Sequence, residues 1–318
     1  MKINIIISIL ILIAYSILGQ NPVRINSKVA YHAQNQLGEG AFWDSKRQKL
    51  WFVDIEKGEV HEFTPSNHSH KFRKTGQKIG TVVPAYSTSD LIVGLEDGIY
   101  VSSGEETPPQ LLVRIPKLKK PARLNDGKCD PQGRFWVGGL HPKEEGTSHL
   151  YRYQREGNTP VVKTILDSVS ISNGICWSLD GKTMYYIDTP TRKVKAFDFE
   201  GNTGSISNGR TCIQIPDSLG WPDGMTMDSK GNLWIGMWGG FGVTSWSPGT
   251  GKLLARVLVP APNVTSCAFG GPKMEDLFIT TAREGLTSEQ LKQYPNSGDV
   301  FVAKPGVKGI QMPYWNGR

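Results

Sequence analysis

Three short stretches place an oxygen-bearing side chain directly before glycine: Leu37-Gly38-Glu39-Gly40, Ile171-Ser172-Asn173-Gly174 and Trp221-Pro222-Asp223-Gly224. Two carboxylates and an amide oxygen suit a hard divalent cation such as calcium or magnesium, with water or substrate completing the shell, and do not suit a thiol-seeking metal. Any one of these residues beside glycine is ordinary turn chemistry. What joins them is position, because each stretch stands just ahead of a copy of an internal repeat. A fourth such place, Arg123-Leu124-Asn125-Asp126-Gly127, offers a guanidinium and an amide that can hydrogen-bond the hydroxyls or ring oxygen of a polyol. Pairing of Arg123 with Asp126 or another carboxylate is the structural alternative. His141 and Glu144, in the segment after the third repeat, are weaker candidates for the same place, with a solvated histidine and an exposed loop glutamate as the alternatives. No Gly-x-Ser-x-Gly elbow and no phosphate-binding loop occurs, which removes the sequence support for covalent serine catalysis and for nucleotide chemistry.

The elements that must bring such distant residues together are visible as the repeat itself. A turn rich in Asp, Gly, Lys or Ser leads into a strand whose second residue is large: DSKRQKLWFVD from Asp44, DPQGRFWVGG from Asp130, LDGKTMYYID from Leu179 and DSKGNLWIGM from Asp228, with weaker copies from Ser87 and Lys273. Aligning the large residues gives Trp51, Ile92, Trp136, Tyr185, Trp234 and Phe278, at intervals of 41, 44, 49, 49 and 44 residues. A period of roughly forty to fifty residues is that of one four-stranded propeller blade, a small twisted sheet that needs neighbours on both faces. Six copies therefore predict an all-β, six-bladed β-propeller in which these large residues pack between blades. Radial closure predicts that Val29 to His32 and Asp299 to Ala303 share a blade and cover each other's edges. In a propeller the innermost strands converge on the axis, so the four polar stretches are expected to meet at its mouth.

Composition agrees with this reading. The 318 residues include 36 glycines and 20 prolines, and one closed β domain over 21–318 can use that length. Residues 1–20 read as a secretory signal: Lys2, an apolar run from Ile5 to Leu18, then Gly19 before Gln20, with an uncleaved anchor as the alternative. That ordering predicts export to a periplasm or the medium, with no stable membrane insertion after cleavage. The net charge of +7 has its densest piece in Lys117, Lys119, Lys120 and Arg123, with no aromatic-interleaved basic stripe, which argues against nucleic acid as a partner. Of the four cysteines, Cys129, Cys176, Cys212 and Cys267, three sit in apolar strand patterns, so buried thiols are expected in preference to a bridge. Two glycosylation sequons, at Asn67 and Asn263, read as chance matches.

The stretches LGEGAFW at Leu37, RLNDGKCDPQGRFWVGG at Arg123, ISNGICWSLDGKTMYYID at Ile171, PDGMTMDSKGNLWIGMWGG at Pro222 and TSCAFGG at Thr265 resemble the gluconolactonase, regucalcin and senescence-marker-protein group of six-bladed propellers, from about Leu37 to Gly309. The resemblance implies Glu39, Asn173 and Asp223 as ligands of one divalent cation, calcium or alternatively magnesium, manganese or zinc, and Arg123 and Asn125 as substrate-binding residues. It implies hydrolysis of a small-molecule sugar lactone, with the cation polarising the carbonyl and Asp223 as general base and later proton donor. The chain departs from the group at Gly138-Gly139-Leu140-His141-Pro142-Lys143-Glu144, where many relatives carry Gly-Thr-Met and then acidic residues, one of which touches substrate. That departure leaves open a hydrolase of another ester class, an aryl ester or a phosphotriester. A non-catalytic calcium-binding propeller is the other competing reading.

Overall fold

The structure is a computed structural model that describes residues 21–104, 107–115, 118 and 120–317. The expected signal segment 1–20 lies outside the described residues, as do Lys117 and Lys119 of the basic loop. Among the described residues, four separate four-stranded antiparallel sheets and one eight-stranded sheet account for the strands. The eight-stranded sheet is two blades joined edge to edge, so the blades number six. The join is the parallel pairing of Val23–Tyr31 with Lys252–Leu258, the outer strand of the fifth blade. Val23–Tyr31 is at the same time the outer strand of the sixth blade, antiparallel to Val300–Ala303 with Val29 opposite Phe301. The N-terminal strand thus closes the ring as the repeat required, and His32 adds a 2.8 Å contact to Asp299 beside it.

The innermost strands are Gly38–Asp44, Ile79–Pro84, Arg123–Cys129, Ser172–Trp177, Trp221–Met227 and Asn263–Gly270. All are buried throughout except at Arg123 and Trp221, the first residues of their strands. Every one carries a register shift near its start, between Glu39 and Phe42 in the first blade, Asn173 and Ile175 in the fourth, and Pro222 and Met225 in the fifth, for example. Such bulges bend a strand and re-aim its side chains, here at the same height in all six blades. Of the glycines after the candidate ligands, Gly40 takes a left-handed φ of 61°, while Gly174 and Gly224 serve close approach. A Cβ on Gly174 would stand 2.7 Å from the Met225 side chain and 2.8 Å from the Asp223 carbonyl, and one on Gly224 would stand 2.6 Å from Ser266 Oγ.

The repeat's turn also has a physical reason. Asp130 is fully buried, accepts the backbone N–H groups of Gln132 and Arg134, and takes the Trp136 indole N–H at 2.9 Å and Arg134 Nε at 2.6 Å. Asp228 repeats the pattern with Trp234 Nε1 at 3.0 Å. In these two copies the acid that opens the turn locks the indole six positions later between blades. Five of the six aligned large residues are buried and Tyr185 is half-buried. All four cysteines are free, as expected, and burial pushes the thiols of Cys176 and Cys267 up to about 12. Asn263 is buried with its amide donating to the Glu284 carbonyl, so the second sequon offers no accessible acceptor. Among the described residues no helix is long and apolar enough to cross a membrane.

The repeat did not foretell the C-terminal tail. After Ala303 the chain crosses the face opposite the mouth, where the Gln311 side chain donates to the Trp43 carbonyl, Trp315 bridges Ala85 and Asn316 N–H donates to Gly133. Trp315 is buried there, and its backbone exchanges hydrogen bonds with Pro84 and Tyr86. The tail so ties the far ends of the first three blades. Trp315→Ala is expected to cost about 3–5 kcal/mol, the usual price of emptying a buried aromatic site. Equilibrium urea unfolding measures it, and a loss under about 1 kcal/mol would show the tail to be an ornament.

Candidate functional site

The mouth is a cavity of about 450 Å³ whose wall includes Glu39, Arg123, Asn125, Asn173 and Asp223, so the ring brings all five stronger candidates together. Two aspartates not singled out in the sequence hold the candidate-bearing segments in place. Asp54, ending the second strand of the first blade, accepts the N–H groups of Gln36 at 2.8 Å and Leu37 at 3.2 Å. Asp188 does the same in the fourth blade for Ser170 and Ile171. Their signal was present in the repeat copies ending FVD and YID. Buried side-chain acceptors for these N–H groups fix the approach of each segment to the axis.

Glu39 and Asp223 are buried and hydrogen-bonded to each other. Glu39 Oε2 also accepts the Gly40 N–H at 2.7 Å. Burial first, and then the nearby Asp126 carboxylate, push Glu39 up to about 7, against the opposing pull of the Gly40 N–H and of Lys128. Asp223 rises well above the usual carboxylate range, chiefly through burial and then through Glu39. Two buried acids in contact cannot both ionise without a counter-charge, so they share a proton or are bridged by a cation. Below them Asp126 accepts the Gly127 N–H at 2.8 Å through Oδ1, while its buried Oδ2 has no hydrogen-bond partner. The Lys128 ammonium, 4% exposed, donates to the Met225 carbonyl at 2.7 Å. Lys128 went unmarked in the sequence, although a lysine inside an otherwise buried strand is itself a signal.

Asn173 is held by a chain of hydrogen bonds. Its Nδ2 donates to Thr189 Oγ1 at 2.8 Å, and Thr189 Oγ1 donates to the Pro222 carbonyl, which ties the fourth blade to the residue before Asp223. Its Oδ1 accepts from Asn125 Nδ2 at 3.2 Å and keeps a second lone pair. Asn125 also donates to the Ser172 carbonyl and accepts Arg123 Nη1 at 2.6 Å. Both amide hydrogens of Asn125 are therefore committed to protein, and only its oxygen has capacity left for a hydroxyl. Arg123 pairs with Asn125 and the Leu124 carbonyl and makes no hydrogen bond to Asp126; its Nε and Nη2 remain for a ligand.

The two weaker candidates stand elsewhere. His141 is off the cavity wall, its Nδ1 accepting the Lys143 N–H at 3.4 Å. Glu144 is exposed with its carbonyl taken by Thr147 Oγ1, and the next residue, Glu145, lines the cavity instead. The loop's register is set by Gly146 N–H donating to Ser170 Oγ, which brings position 145 and not 144 over the mouth. Glu284, from the sixth blade, is the other acid the sequence did not point to. It lines the cavity with Oε2 buried and without a hydrogen-bond partner, and burial raises it.

The donor set fits a hard cation. Two carboxylates held in contact and an amide oxygen with a spare lone pair face one cavity, and the charge they lack is positive. Among the described residues no three His, Cys, Asp or Glu side chains cluster as ligands, so any site here is of this mixed, open kind.

A family model described as "SMP-30/Gluconolactonase/LRE-like region" matches residues 37–283. The chain is 36% identical over 279 residues to a Bacillus subtilis protein named "Putative sugar lactone lactonase YvrE", covering 86% of this chain and 93% of that one. It is 35% identical over 282 residues to Regucalcin of Xenopus laevis, with the same two coverages of 86% and 93%. A solved Agrobacterium tumefaciens structure titled as a calcium-binding protein, regucalcin, superposes with a TM-score of 0.86 at 24% identity, over 93% of this chain and 99% of that one.

The raised Glu39 and Asp223 values set a pH dependence. Between the ordinary glutamate value of 4.5 and about 7 the folded chain holds more protons here than the unfolded chain. This pair therefore makes the cation-free protein less stable as pH rises through that window. A cation must displace the shared proton, so calcium affinity is expected to climb toward neutrality by up to about tenfold per pH unit for each proton released. Isothermal titration in buffers of different ionisation enthalpy reads both affinity and proton release; an affinity flat across that window would remove the pair from the cation site.

Proposed function

The chain belongs to the SMP-30/gluconolactonase/LRE-like family, and we propose that it is a divalent-cation-dependent hydrolase of a sugar lactone. The observation that carries this reading is the buried Glu39–Asp223 contact, set beside Asn173 and Arg123 in one cavity. We assign Glu39, Asn173 and Asp223 as the residues that hold the cation, and calcium as the ion, a choice their hard oxygen donors support. When bound, the cation supplies Lewis-acid polarisation of the lactone carbonyl.

The chain's own residues do the rest. Arg123, through Nε and Nη2, donates to substrate hydroxyls, and the free lone pair of Asn125 Oδ1 accepts from one, which together orient the ring. Asp223 takes a proton from the attacking water as its oxygen bonds to the carbonyl carbon. As the carbon–oxygen ester bond breaks, Asp223 returns that proton to the departing ring oxygen, leaving a hydroxy acid. An aspartate that is ionised in the cation-loaded protein and lines the cavity is suited to both halves of this transfer. Thr189, by holding Asn173 and the Pro222 carbonyl, is a positioning residue.

Metal-stripped protein assayed on sugar lactones, aryl esters and phosphotriesters is expected to be inactive, and to regain turnover on the lactones alone when calcium, magnesium, manganese or zinc is restored. Turnover of aryl or phosphate esters alone would name a different hydrolase, and turnover of nothing would leave a cation-binding propeller. Asp223→Asn is expected to lower kcat by at least about a hundredfold with substrate binding retained. We also propose export: the mature protein recovered from the periplasm or medium is expected to begin near Gln20 or Asn21, as N-terminal sequencing would read, and an intact Met1 would make the segment an anchor.

A further inference from the structure

Part of the mouth's lining has no role in the chemistry just described, namely Leu140, Ile171, Pro190, Trp221 and Trp238. Trp221 is the anomaly among them. It is 41% exposed, on an inner strand whose other residues are all buried, and water contact over so large an apolar side chain is unfavourable unless something covers it.

Its surroundings hold it ready. The Arg192 guanidinium lies 3.5 Å from the centre of the Trp221 ring and is itself fixed by the Gly220 carbonyl at 2.6 Å and by Asp217 at 3.1 Å. Arg192 is not part of the cavity wall, so it backs the indole from outside and leaves the opposite face toward the mouth. The arginine adopts a left-handed backbone conformation, φ 53° and ψ 30°, which a non-glycine residue takes at a cost of about 1 kcal/mol or more. It caps the short turn Thr189–Thr191, whose first residue orients Asn173. One strained turn thus sets both a proposed cation ligand and the backing of the indole. Trp221 lies two residues before Asp223 on the same strand, and both side chains line the one cavity.

We propose that Trp221, backed by Arg192, is a stacking platform for a second sugar ring, so that the preferred substrate is an aldonolactone carrying a glycosyl substituent. The inference rests on the lactonase reading for the reacting ring and adds the neighbouring one. A rigid indole face offers the C–H face of a pyranose a flat apolar partner with its orientation prepaid, and Glu145 at the same cavity wall accepts hydroxyl hydrogen bonds from the ring's edge.

The test compares glucono-1,5-lactone with cellobiono- and maltobiono-1,5-lactone on the cation-loaded protein, alongside calorimetric binding of gluconate, cellobionate and maltobionate. Wild-type protein is expected to favour a two-ring lactone in kcat/KM by about tenfold or more, and to bind the corresponding two-ring acid more tightly than gluconate. Trp221→Ala is expected to abolish that preference through KM, Trp221→Phe to keep part of it, and Arg192→Asn, which tolerates the left-handed backbone, to weaken it. Equal treatment of one- and two-ring ligands by the wild type, or an equal loss on both in Trp221→Ala, would overturn the platform. Failure of every lactone to turn over, with two-ring acids still bound through Trp221, would overturn the lactonase reading and leave the platform standing.

Discussion

The contact between Glu39 and Asp223 is the interaction on which the rest of the molecule depends. Two carboxyls buried side by side repel when both are ionised, and neither is stable there without a shared proton or a cation. A flexible loop would relieve such a contact by moving apart. Here neither residue can move, because each sits in a buried inner strand, followed by a glycine that the left-handed backbone favours at Gly40 and that close packing requires at Gly224. The bulge at the same height in each blade turns polar side chains toward the axis while the rest of the strand remains in the core. The repulsion is thus stored by the architecture and available to a ligand that cancels it.

Closure is what makes the architecture stiff enough. An open row of blades would splay at the mouth, and the chain prevents this at two points. The N-terminal strand completes the sixth blade and pairs with the fifth, and the C-terminal tail ties blade ends on the opposite face. Between these, Asp54 and Asp188 pin the segments that lead to Glu39 and Asn173, and Thr189 links Asn173 to the strand bearing Asp223. The site is held by hydrogen bonds to backbone more than by its own side chains, which suits a centre that must keep its geometry whether or not a cation is present.

Much of this was legible in the sequence, for reasons that differ by feature. The blades were legible because each repeats one turn and one large residue, and the structure shows why the pair recurs: the turn's aspartate bonds the indole at Asp130 and Trp136 and again at Asp228 and Trp234. Glu39, Asn173 and Asp223 were legible because a shared position relative to a repeat becomes a shared position about an axis. Glu144, a weaker candidate, is the exposed loop glutamate named as its alternative; a loop has no period, and its register is decided by one hydrogen bond, Gly146 to Ser170, that no local pattern encodes. Glu284 was invisible for a similar reason, since it follows its strand in a connection without a repeat. Asn125 shows a subtler limit: its type suggested donation to substrate, whereas its two amide hydrogens are used in orienting Asn173 and holding Ser172.

The charges around the axis bear on what such a site favours. Counted at formal charge, the acids about the axis are Glu39, Asp126, Asp223 and Glu284, and the bases beside them are Lys128 and Arg123. With the one shared proton the group carries one negative charge. Replacing that proton by a divalent cation brings the group to neutrality with its positive charge concentrated at the cation. A neutral lactone gains little from it, whereas the oxygen that becomes negative as water adds to the carbonyl gains a good deal, because the field is in place before the charge develops. Lys128 is essential to this sum: without its ammonium, Asp126 would leave the group net negative with the cation in place, and the charged transition state would be disfavoured against the neutral ground state.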